Sequence, residues 1–263
     1  MDVTTVSIGF LGFGNMASAI ADGWLAAGTM PAERLYACAK HYDALCERTA
    51  ARGMHACETA EELVDAADIV VIAIKPYLIE GTLPALAPRL AGKVVISVAA
   101  GWTSEDYERV IPGVHHISTM PNTPVAVCEG LVALETAHTL TPEEHRLVEA
   151  LFKPLGTVVE VETRLLSVAG TIGGCTPAFI AMMIEALADA AVKYGIPRAT
   201  AYKMVSQAVA GTGRLQLATG THPGAMKDAV CSPGGTTIRG VAELERAGMR
   251  SAFIRAIDAI EGK

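Results

Sequence analysis

Short β-branched hydrophobic runs alternate with longer stretches of helical periodicity over the first 162 residues. The run at 69–74 is apolar on both faces, as expected for a central strand of a parallel sheet. Strand–helix–strand alternation at this spacing predicts a parallel, doubly wound sheet. The predicted strands are 6–11, 35–38, 69–74, 94–98, 116–119, 130–134 and 158–161. The predicted helices among them are 17–27, 42–52, 60–66 and 83–90.

The strand signal ends near Thr163, and the rest of the chain reads as helical. The predicted helices there are 177–194, 198–219, 223–230, 237–247 and 251–261. Charge changes at the same point, from a net of −11 over residues 1–162 to +4 over residues 163–263. The sequence therefore predicts two domains, an α/β domain at 1–162 and an all-α domain at 163–263.

The helix predicted at 177–194 carries its charges on one stripe, at Glu185, Asp189 and Lys193. Nearly all its other residues are apolar, so it needs burial on several sides. Because a helical domain of this size has a limited interior, we expect this helix to form an interface between copies of the chain rather than a purely intrachain core.

Composition excludes several classes of protein. With 51% hydrophobic and 19% charged residues the chain is not disordered, and its net charge of −7 argues against nucleic acid or an anionic membrane as a partner. No uninterrupted apolar run reaches the length of a membrane span, and Asp2 replaces the basic start of a signal peptide. The six cysteines are scattered without metal-ligand spacing. We therefore expect a cytoplasmic protein with reduced thiols and no metal.

The first predicted strand runs into a glycine-rich motif of the form G-x-G-x-x-A, with Gly12, Gly14 and Ala17 at its fixed positions. In such loops the first glycine makes the turn, the second admits a pyrophosphate, and the small third residue packs helix on strand. The following helix directs its free N–H groups at the phosphates. The loop residues predicted to bind the cofactor are Gly12, Phe13, Gly14, Asn15 and Met16.

The end of the second predicted strand decides between NADH and NADPH. An acidic residue there binds the ribose of NAD, but this chain has Ala39 and Lys40, with no carboxylate before Asp43. Lys40 is placed to meet a 2′-phosphate, although it also fits as a solvated surface lysine. We predict NADPH, with NADH less favoured.

Two further segments follow strands of the same sheet, where ligands of such folds collect. Their predicted cofactor contacts are Ala73, Lys75 and Pro76 after one strand and Ala99 and Ala100 after the next.

A bend rich in glycine and threonine precedes the helix predicted at 237–247. The amides from Gly234 to Thr237, together with the helix dipole, form a site for a carboxylate. The hydroxyls of Thr236 and Thr237 either cap the helix or face a ligand, and the residues alone leave both roles open.

Four blocks give the chain its family resemblance. They are Gly12–Ala17, Ile74–Pro76, Met120–Pro124 and Asp228–Thr237. In order and spacing the chain resembles pyrroline-5-carboxylate reductase over essentially its full length. The resemblance implies a Rossmann domain followed by a helical dimerisation domain, and NADPH-dependent reduction of a cyclic imine, 1-pyrroline-5-carboxylate, to L-proline.

The resemblance also implies roles for individual residues. Thr237 donates a hydrogen bond near the imine nitrogen, and Met120 lines the substrate pocket. The substrate carboxylate is held by Ser232, Gly234, Gly235 and Thr236.

The chain departs from the family pattern at two places. Ser118 stands where the family often has a basic residue, and 173–177 reads Gly-Gly-Cys-Thr-Pro in place of Ser-Gly-Ser-Gly-Pro. The second change either alters substrate or interface contacts or, as we favour, is another way of turning into the helix.

Two other functions compete with this interpretation. A β-hydroxyacid dehydrogenase relative needs a lysine in the early helices of the helical domain, where only Lys193 is present. An interaction protein that senses NADPH without turnover would not need the complete glycine–threonine bend.

Overall fold

Eight strands form one sheet in the computed structural model, which describes residues 3–262. The strands are β1 Ile8–Leu11, β2 Leu35–Cys38, β3 His55–Cys57, β4 Ile69–Ile72, β5 Val94–Ser97, β6 His115–Pro121, β7 Gly130–Glu135 and β8 Gly156–Val161. The expectation placed on Asp2 lies outside the described residues.

The strand order is β3-β2-β1-β4-β5-β6-β7-β8. All neighbouring pairs are parallel except β6 and β7, which are antiparallel. The order reverses direction between β1 and β4, so the carboxyl ends of these two strands open a crevice. The α/β fold class is confirmed, with one antiparallel pair that the sequence did not predict.

An α-helix follows every strand except β6, and further helices follow β8. The helices are α1 Asn15–Ala26, α2 Tyr42–Ala50, α3 Ala60–Ala66, α4 Pro76–Leu90, α5 Ser104–Val110, α6 Pro142–Phe152, α7 Thr163–Lys193, α8 Arg198–Thr219, α9 Pro223–Ala229, α10 Thr236–Arg246 and α11 Met249–Glu261. The hydrophobic pattern did not predict β3, α5 or α6. Capping boxes at Thr103 and Thr141 begin the two missed helices and were a readable signal.

The sheet is covered on both faces by apolar side chains. Along β1, Ile8 and Phe10 belong to one buried cluster and Leu11 to the other, and β4 alternates in the same way. The continuous hydrophobic sequences of β1 and β4 are therefore explained by burial of both faces of the sheet. Trp24 of α1 is fully buried and donates its indole N–H to the Leu151 carbonyl at 2.8 Å.

Helix α7 is one continuous helix of 31 residues, so the predicted start at residue 177 and the predicted turn before it are wrong. Pro177 lies inside the helix and has no N–H for the carbonyl of Gly173, four residues earlier. The side-chain amide of Asn122 donates to that carbonyl instead, at 3.1 Å. The helix continues because a distant residue satisfies the group that proline leaves unpaired.

By length and composition alone, α7 is apolar enough to cross a membrane. Its most apolar window has a mean hydropathy of 1.6, and 22% of that window is buried. Residues 165–184 contain no charged side chain, although Ser167, Thr171 and Thr176 interrupt the apolar run.

Two compact units divide the chain, Met1–Gly174 and Cys175–Lys263, and the division falls within α7. The predicted domain limits, 1–162 and 163–263, stay a prediction. The sheet belongs to the first unit, and α8 to α11 belong to the second.

Candidate active site

The loop after β1 has the geometry of a dinucleotide cradle. Gly12 has φ +93°, and a Cβ there would lie 2.7 Å from the Ala73 carbonyl oxygen, so only glycine fits. Its N–H donates to the Cys38 carbonyl at 2.9 Å. Gly12 therefore holds the loop against the carboxyl ends of β2 and β4.

Gly14 faces open space at the start of α1. A Cβ there would meet nothing within 4 Å, and Gly14 caps the helix without a side-chain hydrogen bond. Ala17 is fully buried, which lets α1 pack closely on the sheet. The free N–H groups of the first turn of α1 thus remain available to a phosphate, and the cradle fits a dinucleotide.

The other residues of the loop differ in what they present. Asn15 is exposed and Met16 is half-buried, so both side chains are accessible. The Phe13 ring is buried in the core, packed edge-on against Phe10 with ring centroids 5.7 Å apart. Only the backbone of Phe13 is left to meet a cofactor.

The end of β2 is as the sequence indicates. Ala39 is half-buried and Lys40 exposed, and α2 begins two residues later at Tyr42. The parallel neighbour β3 ends beside it, with Cys57 opposite Cys38. Lys40 therefore lies at the carboxyl edge of the sheet, where the adenosine half of a dinucleotide binds in such folds.

The next two connections along the sheet carry the remaining predicted cofactor contacts. Lys75 is exposed and caps α4, with Pro76 at the first helical position, and Ala73 continues the β1 ladder through its N–H to the Leu11 carbonyl at 2.8 Å. Ala99 is buried and Ala100 exposed after β5. The sheet edge thus collects the predicted residues of the first unit.

Met120 and Asn122 contact the glycines of α7. A Cβ on Gly170 would collide with the Met120 methyl group, so the glycine makes room for this side chain. Asn122 bridges two segments, since its carbonyl oxygen accepts from the Leu131 N–H at 2.8 Å while its amide donates to Gly173. The Met-Pro-Asn block therefore also has a packing role.

The bend at 232–237 is a tight turn followed at once by α10. Pro233 and Gly234, with φ +68°, occupy its centre, and the Gly235 N–H closes it on the Ser232 carbonyl at 3.0 Å. Proline and then a positive-φ glycine are typical of a type II turn. The turn uses the Gly235 amide, which leaves the amides of Gly234, Thr236 and Thr237 from the predicted set.

Gly235 is the N-cap of α10 and makes no side-chain cap hydrogen bond. Thr236 and Thr237 are the first two residues of the helix, and both are exposed. Neither threonine therefore occupies the cap position, which favours the ligand-facing role over the capping role. The bend at 232–237 belongs to the second unit.

Comparisons with known proteins agree with these features. A family model described as pyrroline-5-carboxylate reductase dimerisation matches residues 163–263, and one described as NADP oxidoreductase, coenzyme F420-dependent, matches residues 7–101. The pyrroline-5-carboxylate reductase of Treponema pallidum is 40% identical over 259 residues, 97% of this chain and 98% of that protein. That of Escherichia coli is 38% identical over 252 residues, covering 95% and 94%. The chain belongs to the pyrroline-5-carboxylate reductase family.

Solved structures of the family agree in fold. The Plasmodium falciparum pyrroline carboxylate reductase, crystallised with NADP bound, has a TM-score of 0.88 at 27% identity and covers 98% of this chain and 96% of its own. The Coxiella burnetii pyrroline-5-carboxylate reductase gives 0.86 at 31% identity with the same coverage. The resemblance stated from the motifs is confirmed, the chain is an oxidoreductase, and neither the dehydrogenase nor the sensor alternative is favoured.

Ser118, where the family often has a basic residue, lies on the same strand as a buried polar network but outside it. Ser118 is buried on β6, and its hydroxyl has no hydrogen-bond partner within residues 3–262. On the same strand, His116 Nε2 lies 3.0 Å from Ser104 Oγ, while Ser104 N–H and Thr163 Oγ1 each donate to the buried Glu135 carboxylate at 2.7 Å. This network fixes the amino ends of α5 and α7, and Ser118 takes no part in it.

All six cysteines are free thiols. Burial raises the pKa of Cys57 to about 11 and also raises the pKa of Cys38. Since the thiolate is the reactive form, these two side chains behave as core residues. Within the described residues no cluster of three or more His, Cys, Asp or Glu side chains is placed to hold a metal ion.

Sequence reasoning missed several side chains that touch the predicted site. Arg48 of α2 donates to the Phe13 carbonyl at 2.6 Å, across 35 positions of sequence. Tyr107 of α5 hydrogen-bonds Ser97 at 2.7 Å and so supports the turn that carries Ala99. Arg239 lies in the first turn of α10, its Nε 3.4 Å from the Gly235 carbonyl, and a cation opposing the helix dipole was a readable signal.

Proposed function

We propose that this chain reduces 1-pyrroline-5-carboxylate to L-proline with NADPH. The observation that carries the proposal is the bend at 232–237. There, Gly235 takes the cap position and leaves the Thr236 and Thr237 hydroxyls exposed at a helix N-terminus. The reaction also requires a cofactor site, and the dinucleotide cradle at Gly12 and Gly14 supports one.

The cofactor is held by residues of the first unit. The amides that begin α1 bind the pyrophosphate, Lys40 meets the 2′-phosphate, and Ala73, Ala99 and Ala100 offer small surfaces to the ribose and nicotinamide. When bound, the reduced nicotinamide would supply a hydride to the imine carbon, and the ring nitrogen would take its proton from water.

The substrate is held by the second unit. The amides of Gly234, Thr236 and Thr237 bind its carboxylate at the positive end of the α10 dipole. The Thr237 hydroxyl donates a hydrogen bond to the ring nitrogen, which withdraws electrons from the C=N carbon. A threonine hydroxyl is a weak acid, so its contribution is polarisation and orientation rather than proton transfer.

Assembly and location complete the proposal. The chain forms a homodimer through its helical part, and further association of dimers is compatible with it. Met182 and Leu217 are among the exposed apolar side chains of α7 and α8, and contact with a second copy would bury them. Six free thiols favour the reducing cytoplasm.

The test is NADPH oxidation in the presence of pyrroline-5-carboxylate. Thr237→Ala is expected to lower kcat about 10- to 1000-fold, as the loss of one oriented donor does, while the Kd of NADPH stays within about two-fold. Thr237→Ser keeps a hydroxyl and serves as the matched control, retaining most of the rate. Unchanged turnover in Thr237→Ala would remove the assigned role, and absence of proline formation by the unaltered chain would remove the function.

A further inference from the structure

Arg48 contacts the glycine-rich loop between β1 and α1 from helix α2. It is half-buried on α2, one guanidinium nitrogen donates to the Phe13 carbonyl at 2.6 Å, and another bonds the Ser18 hydroxyl of α1. Its guanidinium also lies over the Phe13 ring, 5.1 Å from the centroid. One side chain therefore ties α2 to both the loop and the helix that follows it.

Arg52, one turn later, lies over the same ring at 5.7 Å but in a different electrostatic setting. Asp22 accepts two hydrogen bonds from it, at 2.6 and 3.0 Å, so its charge is balanced by a carboxylate. The partners that the structure gives Arg48 are a carbonyl and a hydroxyl, both uncharged. The two arginines thus form a natural pair, one balanced and one not.

Peptide geometry makes the Arg48 contact directional. The peptide that joins Phe13 to Gly14 is trans, so its C=O and N–H point in opposite directions. Holding the Phe13 oxygen toward Arg48 therefore directs the Gly14 N–H away from Arg48. The space beside Gly14 is open, since a Cβ added there would meet nothing within 4 Å. A charged donor on the carbonyl also polarises the peptide and strengthens its N–H as a donor.

We propose that Arg48 is a positioning residue for the pyrophosphate of the dinucleotide, acting through the Phe13–Gly14 peptide. The inference rests on the proposed NADPH binding. The charge of Arg48 matters more here because residues 1–162 carry a net charge of −11, which repels an anionic cofactor.

The experiment compares NADPH and 2′-AMP binding to the full chain by fluorescence and calorimetry. The ligand 2′-AMP lacks a pyrophosphate. Arg48→Met is expected to raise the Kd of NADPH about 10-fold, the effect of losing a charge-assisted hydrogen bond, and to leave the Kd of 2′-AMP within about two-fold. Added salt weakens NADPH binding to the unaltered chain more steeply than to the variant.

Arg52→Met is the matched control. It removes the other cation over the same ring and also its ion pair, so it is expected to lower the Tm while changing the Kd of NADPH less than about two-fold. Arg48→Lys keeps the charge and loses the fork geometry, and it serves if Arg48→Met does not fold. Arg48→Lys is expected to raise the Kd of NADPH less than Arg48→Met does, and to leave the Kd of 2′-AMP within about two-fold.

Equal NADPH affinity in a folded Arg48 variant and the unaltered chain overturns the inference, as does a parallel loss of 2′-AMP binding. Failure of the unaltered chain to bind NADPH at all is a separate result. That result contradicts the proposed function and leaves no role for Arg48 to support.

Discussion

Lys40 is an exposed cation in an acidic neighbourhood. The carboxylates of Glu61 and Glu62 lie close enough to Cys38 to help raise the pKa of that thiol, and Glu58 follows the adjacent strand β3. These groups disfavour a 2′-phosphate, so a nearby positive charge is needed to retain it. We therefore propose that the choice between NADPH and NADH depends on the Lys40 side chain.

Lys40→Ala is expected to raise the KM for NADPH about 10-fold and to leave the KM for NADH within about two-fold, because only NADPH has a 2′-phosphate to lose contact with. Steady-state rates with each cofactor measure the ratio. Lys40→Arg is the control that keeps the charge and the preference. An equal loss with both cofactors would show that Lys40 acts on the fold or on a shared part of the dinucleotide.

At the scale of single residues, the sequence revealed positions whose role is local. Gly12 and Gly14 were predictable because a strand–turn–helix loop needs them at fixed spacing. Arg48 was not, because its contact with Phe13 joins residues 35 apart and depends on how α2 packs. The Phe13 side chain is also a core residue, which the motif pattern does not distinguish from a ligand contact.

Among the elements, the connection from β5 to α5 is held at both ends. Ser97 accepts from the Ala99 N–H at 3.1 Å and hydrogen-bonds the buried Tyr107 hydroxyl at 2.7 Å. At the other end, Glu135 accepts from the Ser104 N–H at 2.7 Å. The turn that carries Ala99 and Ala100 is thus fixed by buried polar groups.

Tyr107→Phe removes one of these groups without changing the volume of the core. It is expected to lower the free energy of unfolding by about 1 kcal/mol, the usual net value of a hydrogen bond, and to weaken NADPH binding by up to about five-fold. Denaturant unfolding and NADPH titration measure the two effects. Tyr194→Phe, at a side chain that is 83% exposed, is expected to change neither. If the variant lost stability but bound NADPH as well as the unaltered chain, Tyr107 would have a role in core stability only.

Helices and strands were predictable where the period of the hydrophobic pattern and the length of the segment both indicate the same element. Helix α8 is an example, since its predicted and observed limits coincide. Helix α7 was not, because Gly173, Gly174 and Pro177 are local breakers and the contact that outweighs them comes from Asn122. Strand β3 was missed because three residues, one of them exposed, give no period. Local rules fail where a long-range hydrogen bond or a sheet edge decides.

For the whole molecule, the apolar surface of the helical part needs an explanation. Met182 of α7 is 68% exposed, and Leu187 of the same helix and Leu217 of α8 are also exposed. A lipid bilayer and a second copy of the chain both cover such surface. The match of residues 163–263 to a dimerisation family supports the second copy, and we therefore propose that the exposed apolar side chains of α7 contact that copy.

The unaltered chain is expected to sediment without detergent at two or more times its 27.4 kDa mass. Met182→Glu places an unpaired carboxylate where partner contact is proposed, which costs several kcal/mol when buried. Sedimentation is therefore expected to shift toward the monomer. Val127→Glu is the matched control, since Val127 is also 68% exposed but belongs to the first unit. This variant is expected to sediment at the same mass as the unaltered chain. A monomeric unaltered chain, or one that floats with lipid vesicles, would contradict the assembly proposed for α7.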